Sequence, residues 1–297
     1  MQTVAVLTDS TAGLDPQVAA ACGIGVVPLA VLDETGQAVA PNTGAVVAAL
    51  EAGRTLTTSQ PTPAQFEAAM RAARTAGMRE IVSVHMSADM SGTYEAALRA
   101  AQAVGQGVRV LDSRTLGAGL GQSALAAARL AQAGQSARLV EAAARAVSTR
   151  SQVFFLVEDL GHLHRGGRVG AASALLGAAL GVRPLLTIAD GRISVRELVR
   201  GRVRARRHLV EAVAQAAGGT KKVPRSSPGP VRLIVHHVAA AQAAADLREE
   251  LQARLVDTPA EVVSIEIADP GPVIAVHVGP GTVGVVVTPV LAAPHGG

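Results

Sequence analysis

The sequence predicts a two-domain α/β fold, with a parallel sheet in the N-terminal domain and a mixed or antiparallel sheet in the C-terminal domain. In the first half, short apolar runs alternate with Ala-rich segments, which is the pattern of parallel strands joined by crossover helices. In the second half, glycine-rich loops and closely spaced apolar runs indicate paired strands. We therefore place the domains at 1–150 and 151–291 and predict a disordered tail at 292–297.

The elements of the first domain follow from apolar periodicity and from helix start signals. The Thr62-Pro63 pair marks the beginning of one helix, because proline suits the first helical turn. Strands are predicted at 4–7, 25–31, 81–84 and 108–111, and helices at 15–21, 63–76, 92–103, 116–133 and 139–149.

The second domain is predicted in the same way. The Asp190-Gly191 dipeptide lies between β-capable residues, which predicts a hairpin at 188–195. Further strands are predicted at 153–157, 231–236, 262–267, 273–278 and 283–288, helices at 201–217 and 239–255, and an exposed loop at 221–230.

Cysteine usage and the distribution of apolar residues predict a cytoplasmic protein without a membrane span. Cys22 is the single cysteine, so no internal disulfide can form. The first apolar run, at 4–7, is too short for the core of a signal peptide and has no basic leader. The richest apolar stretch, at 174–188, is interrupted by Arg183 and Pro184.

The composition constrains the ligand more than the net charge does. Three Phe, one Tyr and no Trp leave few rings on which bases or sugars could stack, so we expect an aliphatic or very polar ligand. The formal charge of +4 comes mainly from arginine in an Ala-, Gly- and Val-rich chain, and it says little about partners.

Polar clusters follow three predicted strands of the first domain. They are Thr8-Asp9-Ser10, Ser87 with Ser91, and Asp112-Ser113. The carboxyl ends of parallel strands face one crevice, where α/β proteins bind ligands. We therefore expect these side chains to converge on one site.

Two hydroxyl-rich segments begin predicted helices. In the segment 57–63, Thr58 and Ser59 precede a helix, and in the segment 87–94, Ser91, Gly92 and Thr93 do the same. Hydroxyl groups and free N–H groups at a helix start suit a carboxylate or a phosphate. The alternative is ordinary N-capping, which uses the same residue types.

Two further motifs carry charge or an imidazole. The segment 160–170 is a glycine-rich turn that could aim Arg168 at an anion. Its His162 and His164 are expected on one side of an extended segment, but no second ligand cluster completes a metal site, so no metal is predicted. His277 is predicted at a strand end, beside the turn Gly279-Pro280-Gly281.

Taken in order, these segments resemble the DegV family of bacterial fatty-acid-binding proteins, also called FakB. The resemblance covers nearly the whole chain and is carried by several short motifs in the family's order. They are Thr8-Asp9-Ser10, Thr58-Ser59-Gln60-Pro61, Ser91-Gly92-Thr93-Tyr94, Asp112-Ser113, Gly166-Gly167-Arg168, Val182-Arg183-Pro184-Leu185, Asp190-Gly191, Arg200-Gly201 and His277-Val278-Gly279-Pro280-Gly281.

The resemblance implies that one long-chain fatty acid, such as palmitate, stearate or oleate, is buried between two α/β domains, without a cofactor. Thr58 and Ser91 would hydrogen-bond the carboxylate, with Gly92 and Thr93 nearby. The wider set of ligand-binding candidates is Asp9, Ser10, Thr58, Ser59, Ser91, Gly92, Thr93, Asp112, Ser113 and His277.

The resemblance also implies a partner. In this family a separate ATP-dependent kinase, similar to dihydroxyacetone kinases, phosphorylates the bound acid for phospholipid synthesis. Arg168, Arg200 and His277 match the family's charged positions near the carboxylate and the kinase, and the chain itself would not be an enzyme. Lipid transport and transient contact with a membrane surface would fit the same role. The chain departs from the family pattern at 85–90 and at Leu198.

Three alternatives remain open. The chain could carry or buffer fatty acids without a kinase. It could bind nucleic acid through the arginines at 192, 196, 200, 202, 204, 206 and 207, although no aromatic residues are interleaved with them. It could be a hydrolase that uses Ser91 and His277 with Asp9 or Asp112, but no Gly-x-Ser-x-Gly motif surrounds a serine.

Overall fold

The structure is a computed structural model that describes residues 2–168, 181–218, 229–256 and 258–291. The chain divides into two compact units. Unit 1 contains Met1–Ala30, Thr58–Arg150 and Leu291–Gly297, and unit 2 contains Val31–Thr57 and Ser151–Val290. The predicted tail at 292–297 and most of the predicted loop at 221–230 lie outside the described residues.

The parallel sheet of unit 1 agrees with the predicted fold class. Its strands are β1 (Val4–Asp9), β2 (Ile24–Val27), β5 (Glu80–His85) and β6 (Val108–Asp112), in the spatial order β2-β1-β5-β6. Each strand is parallel to its neighbours in the sheet, so the carboxyl ends of the four strands lie along the same edge.

Helices cover both faces of this sheet. They are α1 (Pro16–Ala21), α3 (Pro63–Thr75), α4 (Thr93–Val104), α5 (Ala118–Gln132) and α6 (Ala137–Ser148). Phe66 and Met70 of α3 pack with Ile81 of β5 and with the small side chains Ala96 and Ala97 of α4. Alanine at these positions lets α4 approach the sheet closely.

Unit 2 contains a six-stranded mixed sheet. Its strands are β7 (Gln152–Leu156), β8 (Val182–Ala189), β9 (Arg192–Arg200), β10 (Val231–His237), β11 (Val262–Ala268) and β12 (Val283–Pro289), in the order β11-β10-β12-β7-β8-β9. The β10–β11 pair is parallel and the other pairs are antiparallel. The hairpin predicted at Asp190-Gly191 is confirmed as the β8–β9 turn.

The helices of unit 2 lie on its sheet and at one end of it. They are α2 (Thr43–Glu51), α7 (Gly161–Arg165), α8 (Arg202–Ala216), α9 (Ala241–Leu255) and α10 (Pro272–Val278). Leu209 of α8 and Leu247 of α9 pack with Leu233 of β10 in a continuous apolar core. In the described parts of the chain, no helix is both long enough and apolar enough to cross a membrane.

The segment 31–57 groups with unit 2, although the predicted N-terminal domain includes it. Its helix α2 packs against α10, and the Thr43 hydroxyl donates to Asp269 Oδ1 at 2.6 Å. Two short strands, β3 (Ala30–Leu32) and β4 (Thr57–Ser59), pair with each other and contain the residues at which the chain passes between the units.

The strand predicted at 273–278 is wrong, because these residues form helix α10. Gly271 has φ of +89° and Pro272 occupies the first helical turn, so the chain enters a helix here. Val273 and Val276, one helical turn apart, are both buried. The β-branched side chains favour a strand in isolation, but Gly271 and Pro272 are typical of a helix start, and the segment is helical.

Candidate functional site

The carboxyl edge of the unit 1 sheet brings together most of the polar residues predicted from the sequence. Thr8 is level with Val84, and Asp9 ends β1. His85, at the end of β5, is level with Asp112 at the end of β6. The predicted convergence of these strand-end clusters on one edge is therefore present within unit 1.

The buried Asp9 carboxylate is fully engaged with protein groups. Its Oδ1 accepts from the Thr11 N–H at 3.0 Å and from the Thr11 hydroxyl at 2.5 Å. Its Oδ2 accepts from the Met86 N–H at 3.0 Å and lies 3.1 Å from His85 Nδ1. Asp9 therefore ties the end of β1 to the end of β5.

A Ser–His–Asp chain of hydrogen bonds runs through this edge. His85 Nε2 lies 2.6 Å from Ser83 Oγ, while Nδ1 faces Asp9. The order of side chains is that of a hydrolase triad, but all three are 0% exposed. A serine without access to solvent cannot attack a substrate, so we interpret this chain as structural.

Three other predicted ligand residues also bond to the protein. Asp112 Oδ1 accepts from the N–H groups of Ala88 at 3.3 Å and Arg114 at 2.8 Å. Ser10 Oγ accepts from the Leu29 N–H at 3.0 Å, and Ser113 Oγ donates to the Thr115 carbonyl at 3.3 Å. These bonds shape the loops that leave the sheet.

The first hydroxyl loop, residues 57–62, is called here the Thr58 loop. Its last residue, Thr62, caps α3 in a reciprocal capping box with Gln65. N-capping therefore explains Thr62 but not Thr58 or Ser59. Thr58 is half-buried and Ser59 is exposed, and they lie five and four residues before the helix begins at Pro63.

The second hydroxyl loop, residues 86–92, is called the Ser91 loop. Ser91 Oγ lies 2.8 Å from Thr93 Oγ1 and accepts from the Thr93 N–H at 3.3 Å. Gly92 is the N-cap of α4 and provides no side-chain acceptor. Because the N-cap residue Gly92 has no side chain, the first-turn N–H groups beyond Thr93 and the positive dipole end favour an anion.

The two loops touch each other within unit 1. A Cβ atom built on Gly92 would lie against the side chain of Gln60, with 2.9 Å to Nε2. Only glycine therefore allows the Gln60 carboxamide to reach this point. The contact places Thr58 and Ser91 on adjoining loops, as the sequence predicts.

In unit 2, the structure places His277 in the last turn of α10 and not at a strand end. A Cβ atom on Gly166, after α7, would meet the His277 ring, and a Cβ atom on Gly279, after α10, would lie 2.8 Å from His162 Nε2. Each helix thus ends in a glycine that accommodates the imidazole of the other helix. This reciprocal packing fixes both rings.

The two packed imidazoles favour the neutral form. Burial, followed by the nearby Arg168 guanidinium, lowers the pKa of His277 to about 4. Burial, with Arg165 as a second cause, also lowers the pKa of His162. Both rings are therefore uncharged near pH 7 and offer one donor and one acceptor each.

A pocket of about 370 Å³ lies beside these rings. Its lining is shared by α7, α10 and the turn that follows α2, and it consists of Leu50, Gly53, Arg54, Thr55, Leu56, His162, Arg165, Gly166, Val276 and His277. Arg54 is paired with Asp33 at 2.7 Å, so its charge is partly compensated. His277 was predicted as a candidate at a strand end, and the pocket beside it was not predicted.

The other two predicted kinase-facing residues also belong to unit 2. Arg168 donates to the Gly166 carbonyl at 2.5 Å, and Arg200 is exposed at the end of β9. Several neighbouring arginines form ion pairs, among them Arg202 with Glu158 at 2.6 Å and Arg206 with Glu250 at 3.0 Å. The charges of Arg202 and Arg206 in the arginine-rich segment are thus locally compensated.

No group of three metal-binding side chains occurs among the residues that the structure describes. The expected extended segment around His162 and His164 is helix α7. Residues two apart on a helix point about 200° apart, so these two rings do not share a side. His164 is exposed, whereas His162 packs against Gly279.

The chain thus has two α/β units, and its two hydroxyl loops lie at the carboxyl edge of the parallel sheet. A family model described as "Uncharacterised protein, DegV family" matches residues 3–290. The chain belongs to the DegV family, as the sequence motifs indicate.

Curated relatives and solved structures agree with this assignment. A DegV domain-containing protein of Streptomyces coelicolor is 39% identical over 290 residues, covering 96% of this chain and 98% of the relative. One from Deinococcus radiodurans is 36% identical over 295 residues, covering 98% and 100%. Both relatives match this chain over nearly its full length.

Two solved structures share the fold. One, described as fatty acid binding of a DegV family protein from Thermus thermophilus, has a TM-score of 0.86 and 31% identity, covering 97% of this chain and 100% of that chain. The other, described as DegV, a fatty acid binding protein from Bacillus subtilis, has a TM-score of 0.82 and 27% identity, covering 97% and 99%. The predicted fold class is confirmed.

Two buried residues that support the hydroxyl loops were not predicted from the sequence. His85 and Phe66, whose rings meet at 4.8 Å, were not singled out. The available signal was a histidine at a predicted strand end, two residues after Ser83. Its partner Asp9 lies 76 residues away in the chain, so the pairing could not be read locally.

Proposed function

We propose that this chain binds one long-chain fatty acid and that Thr58 and Ser91 hydrogen-bond its carboxylate, with Gly92 and Thr93 beside them. The observation that carries this proposal is the contact between two hydroxyl loops at the carboxyl edge of one parallel sheet. The uncapped start of α4 adds a favourable dipole for an anion. Similarity to a Thermus thermophilus structure described as fatty acid binding supports the ligand class.

The energetics support this ligand. Burial of a sixteen-carbon chain contributes about 12 kcal/mol, at roughly 0.8 kcal/mol per methylene. Immobilising the chain and ordering loops costs several kcal/mol of this. A carboxylate without partners would cost several more, so hydroxyl and N–H donors are required at its end of the site.

The hydrogen bonds that the other ligand candidates make within the protein indicate which of them are structural. Asp9, Asp112, Ser10 and Ser113 each have a side-chain oxygen that is hydrogen-bonded to the protein, and the two aspartates act there as acceptors, which a fatty-acid carboxylate cannot use. We infer that they shape the edge, while Ser59 lies at its exposed rim. His277, as a neutral imidazole, remains a proposed contact of the acid or of its phosphorylated form.

We further propose that the chain presents the carboxylate to a separate ATP-dependent kinase, which forms an acyl phosphate. Arg168, Arg200 and His277 would balance the charge that develops on the phosphoryl group. The sequence contains no Gly-Lys-Ser/Thr phosphate loop, so the ATP site must come from the partner. The resemblance alone supports a cytoplasmic role in lipid transport and phospholipid synthesis, with transient membrane contact.

Equilibrium binding of oleate tests the carboxylate site. The double variant Thr58→Ala/Ser91→Ala should lose at least tenfold in affinity, because two hydrogen bonds to a charged group are removed. Thr75→Ala is the matched control, since its hydroxyl bonds only to the Arg71 carbonyl at the end of α3. Equal affinities of the double variant and the control would contradict the assignment.

The second candidate function, a carrier that needs no kinase, is favoured by the ion pairs that already engage Arg202 and Arg206 of the arginine-rich segment. Acyl phosphate formation with a fatty acid kinase and ATP separates the two functions. Under the kinase proposal, Arg200→Gln reduces phosphorylation and leaves oleate affinity unchanged. If wild-type protein binds oleate but supports no phosphorylation, the carrier function is correct.

A further inference from the structure

We propose that His85 is a positioning residue that holds the Thr58 loop and the Ser91 loop at a fixed separation. It does so through its hydrogen bond to Asp9 and its ring contact with Phe66. The inference rests on the proposed function, because the separation matters for binding when both loops hold one carboxylate. His85 itself is 0% exposed, so its role in binding is through the loops that it supports.

The start of the Ser91 loop is fixed by one oxygen of Asp9. His85 Nδ1 lies 3.1 Å from Asp9 Oδ2, and the Met86 N–H donates to the same oxygen at 3.0 Å. These two donors are consecutive residues at the end of β5. Because both are buried and the acceptor is a carboxylate, the pair of bonds sets the direction in which the loop leaves the strand.

The same imidazole reaches the helix behind the Thr58 loop. Its ring centroid lies 4.8 Å from that of Phe66, with the planes at 70°. The Phe66 N–H donates to the Thr62 carbonyl at 3.3 Å, which places Phe66 in the first turn of α3, next to the last residue of the Thr58 loop. His85 is thus a buried link between the supports of both loops, and Gln60 against Gly92 is their contact nearer the surface.

The other ring nitrogen of His85, Nε2, makes a hydrogen bond that does not involve either loop. Its Nε2 lies 2.6 Å from Ser83 Oγ, on the same strand. When Nδ1 donates to the carboxylate, the neutral ring accepts the Ser83 hydroxyl at Nε2. This bond stays within β5 and reaches neither loop, so the two nitrogens of one ring have separable roles.

Two amide substitutions separate these roles. In His85→Asn the amide nitrogen can take the place of Nδ1, and in His85→Gln it can take the place of Nε2. Both variants lose the ring, so the difference between them isolates the bond to Asp9. Ser83→Ala is the control that removes only the Nε2 partner.

Hydrogen exchange of the ligand-free variants and their oleate affinity are then measured. His85→Gln is expected to exchange faster in the Thr58 loop and the Ser91 loop and to bind oleate about tenfold more weakly, the effect of one lost bond to a charged group. Ser83→Ala should stay close to wild type in both loops. His85→Asn should stay close to wild type in the Ser91 loop but exchange faster in the Thr58 loop, because the ring contact with Phe66 is lost. Amides of β1 and β5 away from the loops should keep their wild-type protection in all variants.

Equal exchange of the Ser91 loop in the two His85 variants, or faster exchange spread evenly over unit 1, would overturn the positioning role. Hydrogen exchange is measured on the ligand-free protein. The positioning role can therefore be tested separately from fatty acid binding. If wild-type protein fails to bind oleate while the exchange pattern holds, the proposed function fails and the coupling of the loops stands.

Discussion

Gly92 lies at the point where the Thr58 loop and the Ser91 loop touch. A Cβ atom there would meet the far end of the Gln60 side chain, which is flexible and can move at low cost. We therefore expect Gly92→Ala to change the free energy of unfolding by less than about 1 kcal/mol. Oleate affinity should fall several-fold, because the displaced carboxamide disturbs the adjoining hydroxyl loop.

The double variant Gln60→Ala/Gly92→Ala is the control for this prediction, since it removes the side chain that the new methyl group would displace. Isothermal titration with oleate, alongside thermal unfolding, measures both quantities. Unchanged affinity in Gly92→Ala, or a loss that the double variant does not relieve, would contradict the proposed arrangement of the loops.

The buried imidazole of His277 predicts a pH dependence of stability. Its pKa is lowered to about 4 in the folded protein, first by burial and then by Arg168, against an ordinary value of 6.5. Between these values the unfolded chain binds a proton that the folded protein refuses, so the free energy of unfolding falls as the pH drops from 6.5 to 4. The loss is on the order of 3 kcal/mol and is complete below the folded pKa.

His277→Gln removes this titration, so its free energy of unfolding should fall less steeply over the same pH range. The slope should not vanish, because burial lowers the pKa of His162 and of His236 as well. Urea unfolding at a series of pH values tests this, with the exposed His164→Gln as the matched control. Parallel curves for wild type and His277→Gln would show that His277 is not the group that titrates.

At the scale of elements, the packing of α7 against α10 requires glycine at the two positions that contact the His277 and His162 rings, Gly166 and Gly279. A methyl group on Gly166 would meet the ring of His277, which belongs to α10. We expect Gly166→Ala to lower the free energy of unfolding by about 1–3 kcal/mol, because packed interiors tolerate extra volume poorly. Urea unfolding measures the change.

Gly44→Ala in α2 is the matched control within the same unit. Its new methyl group would lie 3.5 Å from the Asn42 side chain, which is ordinary contact, and alanine favours a helix. This variant should therefore match or slightly exceed wild type in stability. Equal destabilisation by both substitutions would argue against the packing of imidazoles on glycines.

The elements that the sequence predicts well are those with long, regular patterns. The helix predicted at 63–76 is α3, which has the expected Thr62-Pro63 start and a capping box. Helix α10 was mistaken for a strand, because its valines are β-formers and its length of seven residues leaves only two helical turns of periodicity. Contacts with α2 and α7 determine its conformation, and these contacts are not visible in local sequence.

At the scale of the whole molecule, the fold class was predictable, whereas the order of strands in each sheet and the path of the chain between the units were not. Residues 31–57 follow the first strands in sequence, yet they group with unit 2 through α2 and α10. Likewise, Thr58 and Ser91 were found by their residue type and position. The buried link through Asp9, His85 and Phe66 requires three distant segments to meet, which only the structure reveals.

The isolated chain is predicted to have no ATPase activity, because its sequence provides no phosphate loop. Release of phosphate from ATP by the purified protein, with and without oleate, is the measurement. A turnover that follows the protein through purification and disappears in Arg168→Gln would contradict its role as a substrate-presenting subunit.

Native mass spectrometry of the purified protein, followed by organic extraction and identification of the bound molecule, tests the central claim most directly. The account predicts one long-chain fatty acid for each chain, and its loss in Thr58→Ala/Ser91→Ala but not in Thr75→Ala. A protein that is empty as purified and takes up neither added oleate nor added palmitate would contradict the account.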